Sequence, residues 1–410
     1  MLPDHDTLLF TIWTGPGPDE HQIVAQSLAT GERRPLVRGG DAARYLTTGY
    51  LVYARQDALL AVPWRASDSA IGGTAPIALL EHPKMMGEGD AHYAVSNEGT
   101  LVYVPGGAAR YVKRLVWVDR AGHAEPVPLP ERAYEDLAIS PDGRQAAVAL
   151  RDGTVGLWLY DFSRHTLTPF VTSGASSSQS PIWTPDGKRI VYRGTREGRR
   201  NLFWKAADGT GGEERLTTKN DVTHTPMAIS SDGRWLIFRE GGGPTKSDIW
   251  MMRLDGDRAS TPQPFVNTPA EEGPGQLSPD GKWIAYVSDT SGLSEVFVQP
   301  FPGPGPRQQV STGGGIDPLW SHDGHELFYR NGDTFLAVAI AGGPTFSPGA
   351  PHVLFEGRYP FSGTGVPSYG LSNDGRRFLL VQQVQPERPP NRIDVVLNWF
   401  TELKQFASTK

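Results

Sequence analysis

Five carboxylates, two imidazoles and one hydroxyl recur at a single place in a repeated pattern, just ahead of a short apolar strand. They are Asp90, Asp136, Glu271, Glu272, Asp317, His92, His224 and Ser180. Drawn together around one opening, such a set can bind a cation, an amine or a basic peptide end. Two carboxylates at different protonation states can also share general acid–base work. The plainer alternative is that polar residues line a water-filled channel and bind nothing specific.

Other chemistry is missing from the chain. It has no Gly-x-Ser-x-Gly elbow, no His-Glu-x-x-His and no phosphate loop. With no cysteine, disulfides, thiolate zinc sites and cysteine nucleophiles are excluded. The 10 histidines show no metal-ligand spacing. No catalytic residue, cofactor or metal is therefore expected. Gly15-Pro16-Gly17-Pro18 and Gly303-Pro304-Gly305-Pro306 read as rigid loops.

A repeat must position these side chains. Ser278-Pro279-Asp280-Gly281 is a tight turn followed by the β-prone run Trp283–Val287. The turn recurs as Ser140-Pro141-Asp142-Gly143, Thr184-Pro185-Asp186-Gly187, Ser230-Ser231-Asp232-Gly233, Ser321-His322-Asp323-Gly324 and Ser372-Asn373-Asp374-Gly375. Weaker copies are Ser96-Asn97-Glu98-Gly99, Thr47-Thr48-Gly49 and Pro3-Asp4-His5-Asp6. The closing positions 6, 49, 99, 143, 187, 233, 281, 324 and 375 are spaced in the forties to low fifties. Several short strands at that period mark a β-propeller. The expected fold is all-β, a single large propeller of eight or nine four-stranded blades over residues 1–410. The tail 399–406 is expected to form a short helix capped by Asn398 or Thr401.

In a propeller, residues just ahead of each inner strand ring one mouth of the central channel, which is why the eight residues above belong together. Trp117, Trp158, Phe203, Trp250 and Phe297 fall at similar offsets in third strands and read as packing between blades. The first repeat lacks an inner strand and the last an outer one, so closure is expected to pair strands from the two ends.

The 48 Gly and 35 Pro suit many turns. A net charge of −6 without a long basic run argues against nucleic acid as partner. No stretch reaches the length of a membrane-spanning helix. The start, MLPDHDTLLF, has no signal-peptide pattern and opens almost inside a repeat turn, which suggests a parent polypeptide continuing upstream.

Repeats four to nine resemble the TolB-like, WD40-like propeller repeats of bacteria. The run Ser288-Asp289-Thr290-Ser291-Gly292-Leu293-Ser294-Glu295-Val296-Phe297-Val298-Gln299-Pro300-Phe301-Pro302-Gly303 is similar to the C-terminal propeller region of membrane-anchored bacterial serine/threonine kinases. Val310–Gly315, Glu326–Tyr329, Leu115–Gly122 and Val395–Trp399 share that likeness, which weakens before Tyr45. No kinase motif is present; Asp161-Phe162-Ser163 only approaches one. The resemblance implies an extracytoplasmic sensor or interaction domain, non-catalytic, taking a protein, peptide or small ligand at the channel mouth. A propeller hydrolase or lyase working through the mouth carboxylates, and a structural oligomerisation module, are the alternatives.

Overall fold

The computed structural model describes residues 2, 4, 6–13, 21–55, 58–65, 67–68, 71, 75–81, 91–105, 112–152, 154–172, 177–219, 221–243, 245–255, 258–303, 305–343, 345–361, 367–384 and 392–408. Its elements are antiparallel strands and one helix, Trp399–Ser408. The turns set the strands. In each copy the Ser or Thr hydroxyl donates to the turn Asp and accepts the amide that opens the next strand. At Ser140 these bonds are 2.6 Å to Asp142 and 2.9 Å from Gln145. The same pair recurs at Thr184, Ser230, Ser278, Ser321 and Ser372. The glycines that close these six turns lie at φ between 68° and 73°, a left-handed region that glycine enters without a Cβ penalty. The hydroxyl bond holds the Asp142 carboxyl below its ordinary value.

Among the described residues the strands form nine sheets. They fall in two compact units, Val112–Gln385 and Met1–Tyr111 with Pro386–Lys410.

The larger unit holds six sheets, numbered here by their inner strands. These strands are Tyr134–Ile139, Ser178–Trp183, Thr223–Ile229, Glu272–Leu277, Ile316–Trp320 and Tyr369–Leu371. The second strands are Gln145–Asp152, Arg189–Arg196, Trp235–Gly243, Trp283–Ser288, Glu326–Asn331 and Arg377–Gln383. Successive residues of a strand face opposite ways, so each second strand serves two seams. Ile237 packs toward sheet four while Phe238 packs toward sheet two; Ala285 and Tyr286 divide likewise. Six apolar clusters result, one for each seam, and the last joins sheet six to sheet one through Leu379, Val381, Val148 and Tyr160. The ring is closed.

Closure differs from the expected pairing. Sequence order assigns Leu115–Asp119 to the repeat at Gly99 and Asp394–Trp399 to the repeat at Gly375. In the structure Lys113–Asp119 pairs with Arg377–Gln383 over seven residues and becomes the third strand of sheet six. Asp394–Val396 instead pairs with Leu101–Tyr103. The exchange leaves the six-sheet ring no open sheet at its ends, removing an edge that would template other chains. It also moves Trp117 out of its series. Trp158, Phe203, Trp250 and Phe297 each oppose the matching second-strand residue, whereas in sheet six that partner is Val116, and Trp117 faces the other seam.

The smaller unit has three sheets. Thr7–Trp13, His21–Ser27 and Arg33–Arg38 form the first; Asp41–Leu46, Tyr50–Arg55, Ala58–Pro63 and Ile77–Glu81 the second. Tyr93–Val95, Leu101–Tyr103 and Asp394–Val396 form the third. Trp399 and Leu403 of the helix bury against the second and third sheets.

Candidate functional site

The inner strands of the six-sheet unit surround its channel, and the sequence candidates sit where these strands begin. Asp136, Ser180, Asp317 and Ser368 each lie six residues before a turn Asp. The strand pairing slips at this level, and Ser180 and Asp317 take φ of 55° and 54°. The slip turns the Asp136 carboxylate toward the next sheet, where it accepts the Ser180 amide at 2.9 Å and the Ser180 hydroxyl at 3.3 Å. Asp317 has the corresponding neighbour, Ser368 of sheet six, whose hydroxyl and amide both favour the ionised carboxyl. Burial outweighs them: Asp317 is 0% exposed, and its pKa is pushed up to about 6. Arg330 approaches it at 3.8 Å.

His224 is a satisfied core histidine. Its ring nitrogens meet Thr217 Oγ1 at 2.8 Å and Glu240 Oε2 at 2.9 Å, and Lys219 Nζ donates to both Glu240 oxygens, at 2.9 Å to Oε1 and 2.7 Å to Oε2. Burial holds its pKa below the ordinary imidazole value. Glu271 is half-exposed and accepts Arg239 Nη2 and Ser247 Oγ, each at 3.2 Å. Glu272 turns inward, accepts the Thr268 hydroxyl at 2.6 Å, and has its other oxygen buried without a partner. His92 is exposed in the smaller unit, and Asp90 lies outside the described residues. The ring of eight is thus Asp136, Ser180, His224, Glu271, Glu272 and Asp317 on the six-sheet unit, and most of these are turned into seams between sheets.

Burial drives Glu272 up to about 7, with the Asp248 charge adding to the shift. An unfolded glutamate titrates near 4.3. The folded state therefore binds more protons between these values, and this group's contribution to stability declines as pH rises from about 4.3 to about 7. Glu272→Gln is expected to flatten that decline and to stabilise the chain by roughly 2–3 kcal/mol at pH 8, with little change at pH 4.5. Urea titrations at both pH values measure it. Parallel pH profiles for variant and wild type would show that Glu272 is not held neutral.

Sequence reasoning missed three arginines. Arg193, Arg239 and Arg330 each stand seven residues after a turn Asp, at the end of an apolar run, and reach into the seam with the following sheet. Arg193 donates to Thr225 Oγ1 at 3.0 Å; Arg330 donates to the Tyr359 carbonyl at 2.7 Å. The readable signal was an arginine closing the runs Ile190–Arg193, Leu236–Arg239 and Leu327–Arg330 at one offset. It turns an expected funnel of carboxylates into a mouth of both signs.

At the opposite end, by the turns, the channel widens into a cavity of about 380 Å³ to which all six inner strands contribute. Ala138, Trp183, Ile229, Gln276, Trp320 and Leu371 are among its lining residues. The indole N–H groups of Trp183 and Trp320 donate to the carbonyls of Ala138 and Gln276 in the preceding sheets, at 3.0 and 3.2 Å, which fixes both rings. Among the described residues no group of three His, Asp or Glu could hold a metal, and no helix is long and apolar enough to cross a membrane.

No family model matches the chain. An uncharacterized protein of Agrobacterium fabrum is 27% identical over 211 residues, covering 47% of this chain and 68% of that protein. The uncharacterized peptidase YuxL of Bacillus subtilis is 22% identical over 209 residues, 40% of this chain but only 31% of the peptidase. A solved structure described as TolB from Agrobacterium tumefaciens aligns with a TM-score of 0.55 at 16% identity, covering 67% of this chain and 99% of that one. At that identity the likeness speaks for architecture alone: the chain has the fold of a TolB-like β-propeller.

Proposed function

We propose that the chain is a non-catalytic recognition module that takes a protein, peptide or small ligand into the cavity at the turn end of its six-sheet channel. The observation that carries this reading is the cavity itself. Six strands converge on it, and its walls combine apolar side chains with polar groups, those of Ser140, Gln276, Ser321, His322 and Asn373 among them. That composition is usual for a ligand site. A hydrolase or lyase would draw on the carboxylates at the other mouth. There Asp136 is engaged by Ser180, and Glu272, whose pKa suits a neutral-pH acid, is 0% exposed. Recognition is therefore favoured over acid–base chemistry. The extracytoplasmic setting, as the sensor end of a serine/threonine kinase or as an envelope scaffold, rests on the sequence likeness at Ser288–Gly303 and Val395–Trp399.

Filling the cavity tests the reading. Peptides selected on the wild-type chain from a random library are expected to lose at least tenfold in affinity for Ala138→Phe, with the thermal midpoint retained. Selected peptides that bind the filled variant equally well, or a selection that yields none, would remove the cavity as the site. For the kinase association, an upstream reading frame without a kinase domain and membrane helix would dispose of it.

A further inference from the structure

We propose that the mouth at which the inner strands begin is a binding site for a small oxyanion, anchored by Arg193 with Arg239 beside it. The site lies at the far end of the channel from the turn-side cavity, and its argument does not depend on that cavity. Register fixes its place. Arg193 is opposite Gln179 and Arg239 opposite Thr225, both at the start of inner strands, in adjacent sheets. Each side chain crosses to the next sheet, Arg193 to Thr225 and Arg239 to Glu271.

The nearby acids make their hydrogen bonds to groups other than Arg193. Glu135 holds Arg151 at 2.7 Å. Asp136 accepts from Ser180, and the Glu271 oxygen that meets Arg239 also accepts Ser247. Arg193 is left with a hydroxyl as its hydrogen-bond partner, and its Nε is buried with none. A guanidinium offers five donors in a planar fork; Arg193 as a whole is partly exposed, but its Nε is out of reach of water, and a buried donor is costly without an acceptor. Arg330, at the same strand position in sheet five, differs in having a counter-charge, Asp317 at 3.8 Å, and two carbonyls that accept from its Nη2, although its Nε and Nη1 are likewise buried without a hydrogen bond. Burial, together with the positive charges of Arg200 and Arg239, brings the Arg193 pKa down to about 10, while Asp136 and Glu135 act in the opposite sense. What this group lacks is an oxyanion able to accept two parallel N–H bonds, and carboxylate and phosphate both do so. Arg239, with 24% of its side chain exposed, keeps the mouth open to solvent.

The full chain is titrated calorimetrically with sodium phosphate and, separately, sodium acetate at constant ionic strength. Saturable binding of at least one is expected. Phosphate alone would assign a phosphate-bearing ligand, and acetate alone a carboxylate end. Arg193→Gln is expected to weaken binding at least tenfold, Arg239→Gln a few-fold, and Arg144→Gln, on an exposed turn, not at all. Arg193→Lys, which keeps the charge but not the fork, should fall between wild type and Arg193→Gln. If Arg193→Gln fails to fold, the Arg239→Gln and Arg193→Lys results decide. No saturable binding of either anion, or affinities unchanged in the Arg193 and Arg239 variants, would overturn the proposal.

Discussion

Arg330→Ala is expected to destabilise the six-sheet unit by roughly 3–5 kcal/mol at pH 7.5 and by distinctly less at pH 5, because it strands a buried carboxylate. Arg330 is 2% exposed and Asp317 is 0% exposed, so neither charge is hydrated. Even with Arg330 present, burial holds the Asp317 carboxyl up at about 6, above an unfolded aspartate near 3.9. The native state therefore holds the extra proton between those values, and stability falls as pH rises through that window. Removing the guanidinium takes away a group that favours ionisation and moves the carboxyl further up. At pH 5 the acid is then already neutral and the variant loses mainly the bonds to Tyr359 and Gly332. At pH 7.5 it must either ionise unpaired or hold its proton against the solvent. Asp317→Asn should remove most of the pH dependence from both backgrounds. Urea denaturation of wild type, the two single variants and the double variant measures this. An equal loss at both pH values would show that Asp317 is not the group being stranded.

The same residues show how far the sequence could be read. The turns were legible because their chemistry is local: Ser, Asp and Gly within four positions make the same bonds in six copies. The period then implied the sheets and an all-β propeller. Ring closure was not legible. Lys113–Asp119 and Asp394–Val396 are both short β-prone segments, and nothing local says which hairpin each joins; the choice is made by packing between residues more than 260 positions apart, such as Arg114 and Gln382. The candidate site was half legible. Position relative to the turns picked out Asp136, Ser180 and Asp317 at one level. It could not show that a slip in strand register spends the first carboxylate on the second residue. His224 and Glu272 lie two residues earlier than that level, at the edge of a seam, where the pattern gives no sign of burial. The arginines were passed over because each closes an apolar run and reads as its solvent-facing end.

Phe335→Ala tests the ring itself and is expected to cost about 3–5 kcal/mol. Phe335 is 1% exposed in the seam between sheets five and six. Its ring stacks on Phe355 at 4.5 Å, meets Tyr369 at 5.5 Å and Tyr359 at 5.8 Å, and lies under Arg330 at 4.9 Å. None of these neighbours can collapse into the hole without abandoning another contact, so the cavity remains. How the loss is distributed separates a closed ring from a row of sheets. In a row, stability is a sum over neighbours, and weakening one junction frees the sheets beyond it. In a ring closed by the seven-residue ladder of Lys113–Asp119 on Arg377–Gln383, sheets five and six each keep a second neighbour. Hydrogen exchange across residues 112–385 should therefore show the most protected amides of all six sheets losing protection by a similar factor. Loss confined to the strands between Ile316 and Leu371 would mean that the sheets open one at a time and that the ladder does not bind them into one cooperative body.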